Sequence, residues 1–298
     1  MKVYLAAMMY NDFREGSPLY NRLDEREKQA VVEAVHVLDS YHYVSKQRIV
    51  DRIRATGRKI FLDSGAFSSY TQGVDVDIDR YCDYCQENVD FIEVASVLDA
   101  IGSAEQTWRN QKYIEQRGIQ VLPCYHYGEP EEVLRYYVSQ YEHITIGGMV
   151  PISTPQLTIW LDRIWGTHLT NEDGTPKLKV HGFGLTSVFL MARYPWYSVD
   201  SSSWVQLGGM GNIFLPEHGT IAVSEHAPQR KEMFKHVDTL PTEHRDVIVG
   251  YIEGLGFDLE RLRVSHLSRK CFNMVTYGGM GAAQIVNKQF IQPQPVLF

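Results

Sequence analysis

FLDSGAFSSY, residues 61–70, reads as a buried strand that stops abruptly in an acid, Asp63. Lys59 and Ile60 lead into it, and Ser64-Gly65-Ala66 allows a tight backbone turn. An acid at the end of a buried parallel strand lies where α/β proteins place their chemistry. Asp-Ser-Gly is equally a turn and helix-start signal, with Asp or Ser as N-cap. The choice between a functional acid and a cap therefore rests on the remainder of the chain.

Working outward, strand and helix patterns alternate. Strands are predicted at 3–9, 60–63, 91–98, 119–125, 143–146, 178–180 and 196–199. Helical spacing is predicted over 24–38, 43–55, 77–88, 104–117, 129–139, 155–165 and 186–194. Such alternation predicts a parallel sheet, and seven units with an eighth strand still to come favour a (β/α)8 TIM barrel. The open doubly wound sheet is the alternative, but no GxGxxG follows the first strand and no GxxxxGK[ST] occurs. After Asp200 the rhythm breaks. Residues 212–215 and 220–224 read as a β-hairpin after strand seven, one arm of which would close the barrel as its eighth strand. Residues 226–257 read as polar and helical in pieces, 262–277 as a C-terminal helix, and QPQPVLF as an extended tail. The expected organisation is one barrel domain over 1–298, with a hairpin/helical elaboration at 205–260 and a helix and tail at 261–298.

The bulk properties narrow the function. A net charge of −7 argues against a protein that coats nucleic acid through general basicity, while leaving room for a local basic groove. The 18 Tyr, 12 Phe and 5 Trp are a supply of stacking surfaces. Four scattered cysteines do not make a disulfide framework. The N-terminal MKVYLAAMMYNDF has no signal-peptide pattern, and no stretch approaches the roughly 20 apolar residues of a membrane span. A cytoplasmic location without membrane contact is expected.

Asp63, Asp99 and Asp200 end three predicted strands, His126 ends a fourth, and Gly147-Gly148 and Gly182-x-Gly184 end two more. In a barrel these ends converge on one mouth. Two carboxylates facing one sugar suit displacement at an anomeric carbon, one as nucleophile and one as acid/base. Rim glycines let a planar ligand approach backbone N–H groups. Each residue also has an ordinary structural role open to it: Asp99 and Asp200 as caps, His126 as a hydrogen-bonded core histidine.

In series these motifs resemble the tRNA-guanine transglycosylase superfamily. DSGAF at Asp63 to Phe67 is similar to that family's DSGGF/Y motif, IGGM at Ile146 to Met149 to its LGGL, and GFG at Gly182 to Gly184 to its GVG. SVDSSS around Asp200 resembles the segment carrying its nucleophilic Asp, and the order and approximate spacing match over residues 1 to 225. The resemblance implies base exchange in which Asp200 attacks the anomeric carbon and displaces guanine, with Asp63 as general acid/base. It implies that Asp99, Gly147 and Gly148 contact the base, that Phe67 stacks on it, and that Ser64, Gly65, His126, His181, Gly182 and Gly184 complete the pocket.

Departures from the family pattern point to a branch of it. The family's C-terminal zinc site needs three closely spaced cysteines and a histidine, whereas only Cys271 stands there, so no cofactor and no zinc are expected. The Cys82–Cys85 pair is a lone CxxC on a predicted helix and reads as structural. His126 replaces the family's Gln, and His181 stands where an apolar residue is usual. These features and the short chain resemble the DNA branch, above all its phage-encoded members, which insert 7-deazaguanine bases. DNA and a free base such as preQ0 are the implied partners, in a host cytoplasm if the protein is viral, and a homodimer stays open. Arg263, Arg269 and Lys270 would meet DNA phosphates or brace the pocket. An RNA transglycosylase, a non-catalytic nucleic-acid-binding subunit of the same fold and a glycoside hydrolase are the competing readings.

Overall fold

The computed structural model describes residues 1–281 and 289–291, so the proline-rich tail read from the sequence lies outside the described residues. Two compact units divide the chain. The first comprises Met1–Tyr10 and His36–Ser201 with residues 289–291, and the second comprises Asn11–Val35 and residues 202–281.

The first unit is an α/β fold around a curled eight-stranded sheet. Its strands are β1 (Lys2–Ala6), β2 (Val37–Ser40), β3 (Ile60–Asp63), β4 (Ile92–Ala95), β5 (Cys124–His126), β6 (His143–Gly147), β7 (Lys179–Gly182) and β8 (Ser198–Ser201). They lie in the order β4-β3-β2-β1-β8-β7-β6-β5, and every pairing is parallel. The two outer strands are joined just past the end of β4. Ser96 bridges Leu122 in parallel, Leu122 N–H donates to Ala95 O at 2.8 Å, and Val97 N–H donates to Leu122 O at 2.9 Å. Tyr4, Leu38 and Phe61 form a buried cluster on β1, β2 and β3, with Val94, Leu122 and Phe183 packed against it. Burial of these apolar side chains removes them from water on the inside of the sheet, the main favourable term in holding such a layer together.

The strand missing from the sequence reading is β2. Residues 24–38 were expected to form one helix because Val31, Val32, Val35 and Leu38 recur at helical spacing. The helix is only Glu25–Glu33, started by a capping box between Asp24 and Glu27. Val32 and Val35 are exposed, while Val37 and Leu38 are buried on β2. The short VLDS strand was masked by an apolar pattern running straight into it. With β2 in place, no hairpin arm is needed as an eighth strand, and that expectation is corrected. Residues Asn212–Leu215 and Gly219–Ala222 (β9 and β10) pair antiparallel in a sheet of their own, with Thr220 opposite Phe214.

The second unit holds β9 and β10 with helices Thr242–Gly254, Leu259–Val264 and His266–Gly279. Asn273, fully buried, ties the helix to the antiparallel pair. Its Oδ1 accepts from Phe214 N–H at 2.8 Å, and its Nδ2 donates to Trp204 O at 3.2 Å and Asn212 O at 3.3 Å. Glu27, also fully buried, takes a two-pronged contact from the Arg261 guanidinium, both distances 2.6 Å. No described helix is long and apolar enough to cross a membrane.

Candidate active site

The acids and glycines singled out in the sequence all fall at the C-terminal edge of the parallel sheet. Asp63, His126, Gly147 and Gly182 are the last residues of β3, β5, β6 and β7, Asp200 lies within β8, and Asp99 follows β4. Parallel strands point the same way, so these positions share one rim.

Asp200 is buried and held from two sides. Its Oδ1 accepts from Gly184 N–H at 2.9 Å and faces His181 Nε2 at 3.3 Å. Oδ2 lies outside both contacts. His181 is fully buried, and its Nδ1 meets Ser198 Oγ at 2.8 Å. An N–H on Nε2 facing the carboxylate leaves Nδ1 to accept from the serine hydroxyl, so Ser198 fixes the tautomer that Asp200 needs. His181 packs among Phe61, Phe183 and Tyr4, with ring centroids 4.7, 4.8 and 5.9 Å away. His181 therefore underlies the acid as a positioning group. Gly184 owes its role to a positive φ of 62° that aims its N–H at the carboxylate.

Asp63 has a strongly altered acidity. Burial, then the like charges of Asp99 and of Asp200, push its carboxyl up to about 7. Gly65 N–H donates to Asp63 Oδ2 at 3.1 Å, and Ser64 N–H donates to Ser96 Oγ at 3.0 Å, which fastens the turn to the end of β4. Gly65 is required there: φ is 78°, and a Cβ would come within 2.6 Å of Ser40 Oγ and 2.8 Å of His42 Cβ. The DSG turn thus keeps a proton-bearing acid close to two other carboxylates.

A second group surrounds His126. Its backbone N–H donates to Glu129 Oε2 at 2.9 Å, and Nδ1 faces Glu129 Oε1 at 3.1 Å. Nε2 faces Cys124 Sγ at 3.5 Å and Asp99 Oδ2 at 3.4 Å. Burial opposes a charge on the imidazole, but Cys124, Asp99 and Glu129 outweigh it and raise its pKa above the ordinary histidine value. Burial, then Asp99, pushes the Cys124 thiol up to about 11. Asp99 Oδ1 and Ser64 Oγ are buried without a hydrogen-bond partner. Leaving such an atom unpaired costs about 1–3 kcal/mol, which a bound ligand with suitable donors or acceptors recovers.

The rim glycines are tight spots. A Cβ on Gly147 would lie 3.0 Å from Cys124 Sγ, one on Gly148 3.0 Å from Tyr127 N, and one on Gly182 3.1 Å from the Trp196 ring. Phe67 is on helix Ala66–Gln72 and largely exposed, as are Tyr70 and Tyr10. Tyr10 and Tyr43 lie 5.5 Å apart between centroids.

The basic trio is placed differently from the expectation. Arg263 and Arg269 are buried in the second unit. Arg263 is paired with Asp238 and Glu260, and Arg269 donates to Gly208 O, Leu262 O and Arg263 O. Lys270 is partly buried, with Gly208 packed on its backbone. The donors of Arg263 and Arg269 satisfy internal acceptors, because helices with a wide apolar face carry some of their basic residues at positions that turn inward. Of the expected roles, contact with DNA phosphates or bracing, the structure shows these two guanidinium groups engaged with internal acceptors. Cys82 and Cys85 are buried on helix Ile78–Glu87 as free thiols.

Sequence reasoning missed Ser198, Cys124, Glu129 and Asp39. Ser198 is two residues before Asp200 on the same strand face, and Cys124 is two before His126, so strand alternation held the signal for both. Glu129 sits three residues after His126 across the Gly128 turn. Asp39 disappeared with β2. It is buried, accepts from Met9 N–H at 2.8 Å, and burial pushes its carboxyl up to about 7.

The fold and rim define an α/β protein with an acid-rich, histidine-supported group of side chains at the strand ends. No family model matches the chain, and no curated protein matches it. Among solved structures it is similar to a 4-hydroxy-2-oxoglutarate aldolase/2-deydro-3-deoxyphosphogluconate aldolase. That likeness has 12% identity over 68% of this chain and 84% of the other, with a TM-score of 0.39.

Proposed function

We propose that this protein is a pentosyltransferase on a closed (β/α)8 barrel, a DNA-guanine transglycosylase that exchanges guanine for a 7-deazaguanine base such as preQ0. The observation that carries the reading is the pairing of Asp63, an acid near pH 7, with Asp200, whose Oδ1 is clamped and whose Oδ2 is left outside the clamp. A group titrating near neutrality suits general acid/base work, and a clamped carboxylate suits in-line attack.

In the proposed reaction Asp200 Oδ2 forms a bond to C1′ of the deoxyguanosine unit. The C1′–N9 bond breaks, its electron pair leaves with guanine, and protonated Asp63 supplies the proton to the departing base. The incoming 7-deazaguanine gives a proton to Asp63 and its nitrogen attacks C1′, releasing Asp200. Asp99 Oδ1 and Ser64 Oγ, both unpartnered, receive the base's polar edge, and the Gly147 and Gly148 backbone lies along its carbonyl side. A base in a duplex must first be extruded. Exposed Phe67, Tyr70, Tyr10 and Tyr43 offer stacking surfaces for it and its neighbours.

The test is mass spectrometry of nucleosides from DNA and RNA incubated with the protein and isotope-labelled preQ0. Label in deoxynucleosides, lost in Asp200→Asn, is the expected result. Label in RNA alone would replace DNA by RNA as the substrate, and label in neither would reject base exchange.

A further inference from the structure

We infer that Asp99, Cys124 and His126 form a binding site for one divalent transition-metal ion, of the zinc class, with a fourth coordination position open to the cleft. One ligand atom from each residue lies within 4.8 Å of the other two. The separations that involve His126 Nε2 are 3.5 Å to Cys124 Sγ and 3.4 Å to Asp99 Oδ2. A tetrahedral zinc with Zn–S near 2.3 Å and Zn–N or Zn–O near 2.0–2.2 Å spaces its ligand atoms about 3.4–3.6 Å apart.

Two further features fit a metal. His126 presents Nε2 inward while its Nδ1 is held by Glu129 Oε1 at 3.1 Å, the arrangement by which a carboxylate orients a metal-bound histidine. Gly147 leaves room beside the group: a Cβ there would sit 3.0 Å from Cys124 Sγ and 3.4 Å from His126 Nε2. The donor set of one thiolate, one imidazole and one carboxylate favours a borderline-soft ion over magnesium or calcium. Three protein ligands with an open position are the pattern of a reactive site, whereas closed structural sites use four. Cys124 binds as thiolate, its proton passing to solvent. Asp99 uses Oδ2 for the ion, and its Oδ1 stays the buried atom without a hydrogen-bond partner.

Metal binding is read without any substrate, so this inference stands or falls apart from base exchange. The full-length protein is stripped with chelator and titrated with Co²⁺. One equivalent should produce near-ultraviolet thiolate-to-cobalt absorption with intense tetrahedral bands in the visible, both erased by Zn²⁺. Cys124→Ser should abolish the near-ultraviolet band, Glu129→Gln should weaken binding about 10–100-fold, and Cys82→Ser should change neither. Circular dichroism establishes that each variant is folded, and the wild-type spectrum decides the matter if one is not. Failure to bind Co²⁺ or Zn²⁺, binding without the thiolate band, or a band that survives Cys124→Ser would overturn the assignment.

Discussion

Replacing Asp63 by Asn should stabilise the protein at alkaline pH and leave it little changed in acid. The Asp63 carboxyl is raised from an ordinary 3.8 to about 7 by burial and by the charges of Asp99 and Asp200. The folded state then holds this proton more tightly than the unfolded chain. The stability it confers is full below pH 3.8, drains away as pH rises toward about 7, and is flat above. A shift of about 3 units at about 1.36 kcal/mol each makes the total close to 4 kcal/mol. Asp63 keeps partial contact with solvent, so this is a ceiling. Between pH 5 and pH 8 about 3 kcal/mol of it is at stake, or about 6–12 °C in Tm at about 2–4 °C per kcal/mol. Asparagine is nearly isosteric and does not titrate. The measurement is Tm of both proteins from pH 5 to 8 at constant ionic strength. Asp39, which also titrates near 7, is common to both and cancels in the difference. The variant should gain on the wild type as pH rises from 5 to about 7 and hold that lead above it. Parallel profiles would show that Asp63 ionises normally and would remove the basis for its acid/base role.

Gly65→Ala should lower Tm by several degrees, because it forces a side chain into φ 78° and within 2.6 Å of Ser40 Oγ, a strain of about 1–3 kcal/mol; an unchanged melting curve would refute the required turn. Ser198→Ala frees the His181 tautomer and should reduce the turnover of the proposed base exchange about tenfold with KM preserved. A rise in KM at constant turnover would place Ser198 in substrate binding.

Much of this site was legible because the chain writes it at strand ends. Asp63 and Asp200 fall on β3 and β8 as the alternation required, and IGGM and GFG mark the ends of β6 and β7. What was not legible has identifiable causes. β2 is four residues long and continues the apolar spacing of the preceding helix, so periodicity alone could not separate them. A hairpin that resembled a missing strand then filled the gap, although its arms form a two-stranded sheet separate from the eight-stranded one. Residue type also does not encode direction. Arg263 and Arg269 have the composition of a phosphate-binding face, and only packing shows that their guanidinium groups point at Asp238 and at backbone carbonyls. Cys124 was overlooked for the opposite reason: a lone buried cysteine is ordinary until His126 and Asp99 stand beside it.

In the proposed reaction Asp63 and Asp200 share one negative charge beside that of Asp99. With Asp63 protonated, Asp200 attacks as the anion. Once the covalent bond neutralises Asp200, Asp63 can release its proton to guanine with only the Asp99 charge still beside it. The mouth thereby avoids holding both charges while positive charge develops on the sugar, for which an acid-rich cleft has the right sign. This coupling is measurable without substrate. Asp200→Asn removes one of the charges that raise Asp63, so the Asp63 pKa should fall below about 7 while burial and Asp99 keep it above 3.8. Between pH 5 and 8 the variant should lose less stability than the wild type, with a slope intermediate between those of wild type and Asp63→Asn. A variant slope equal to that of the wild type would mean that the two carboxylates do not sense each other, and the concerted use of Asp63 and Asp200 would fail with it.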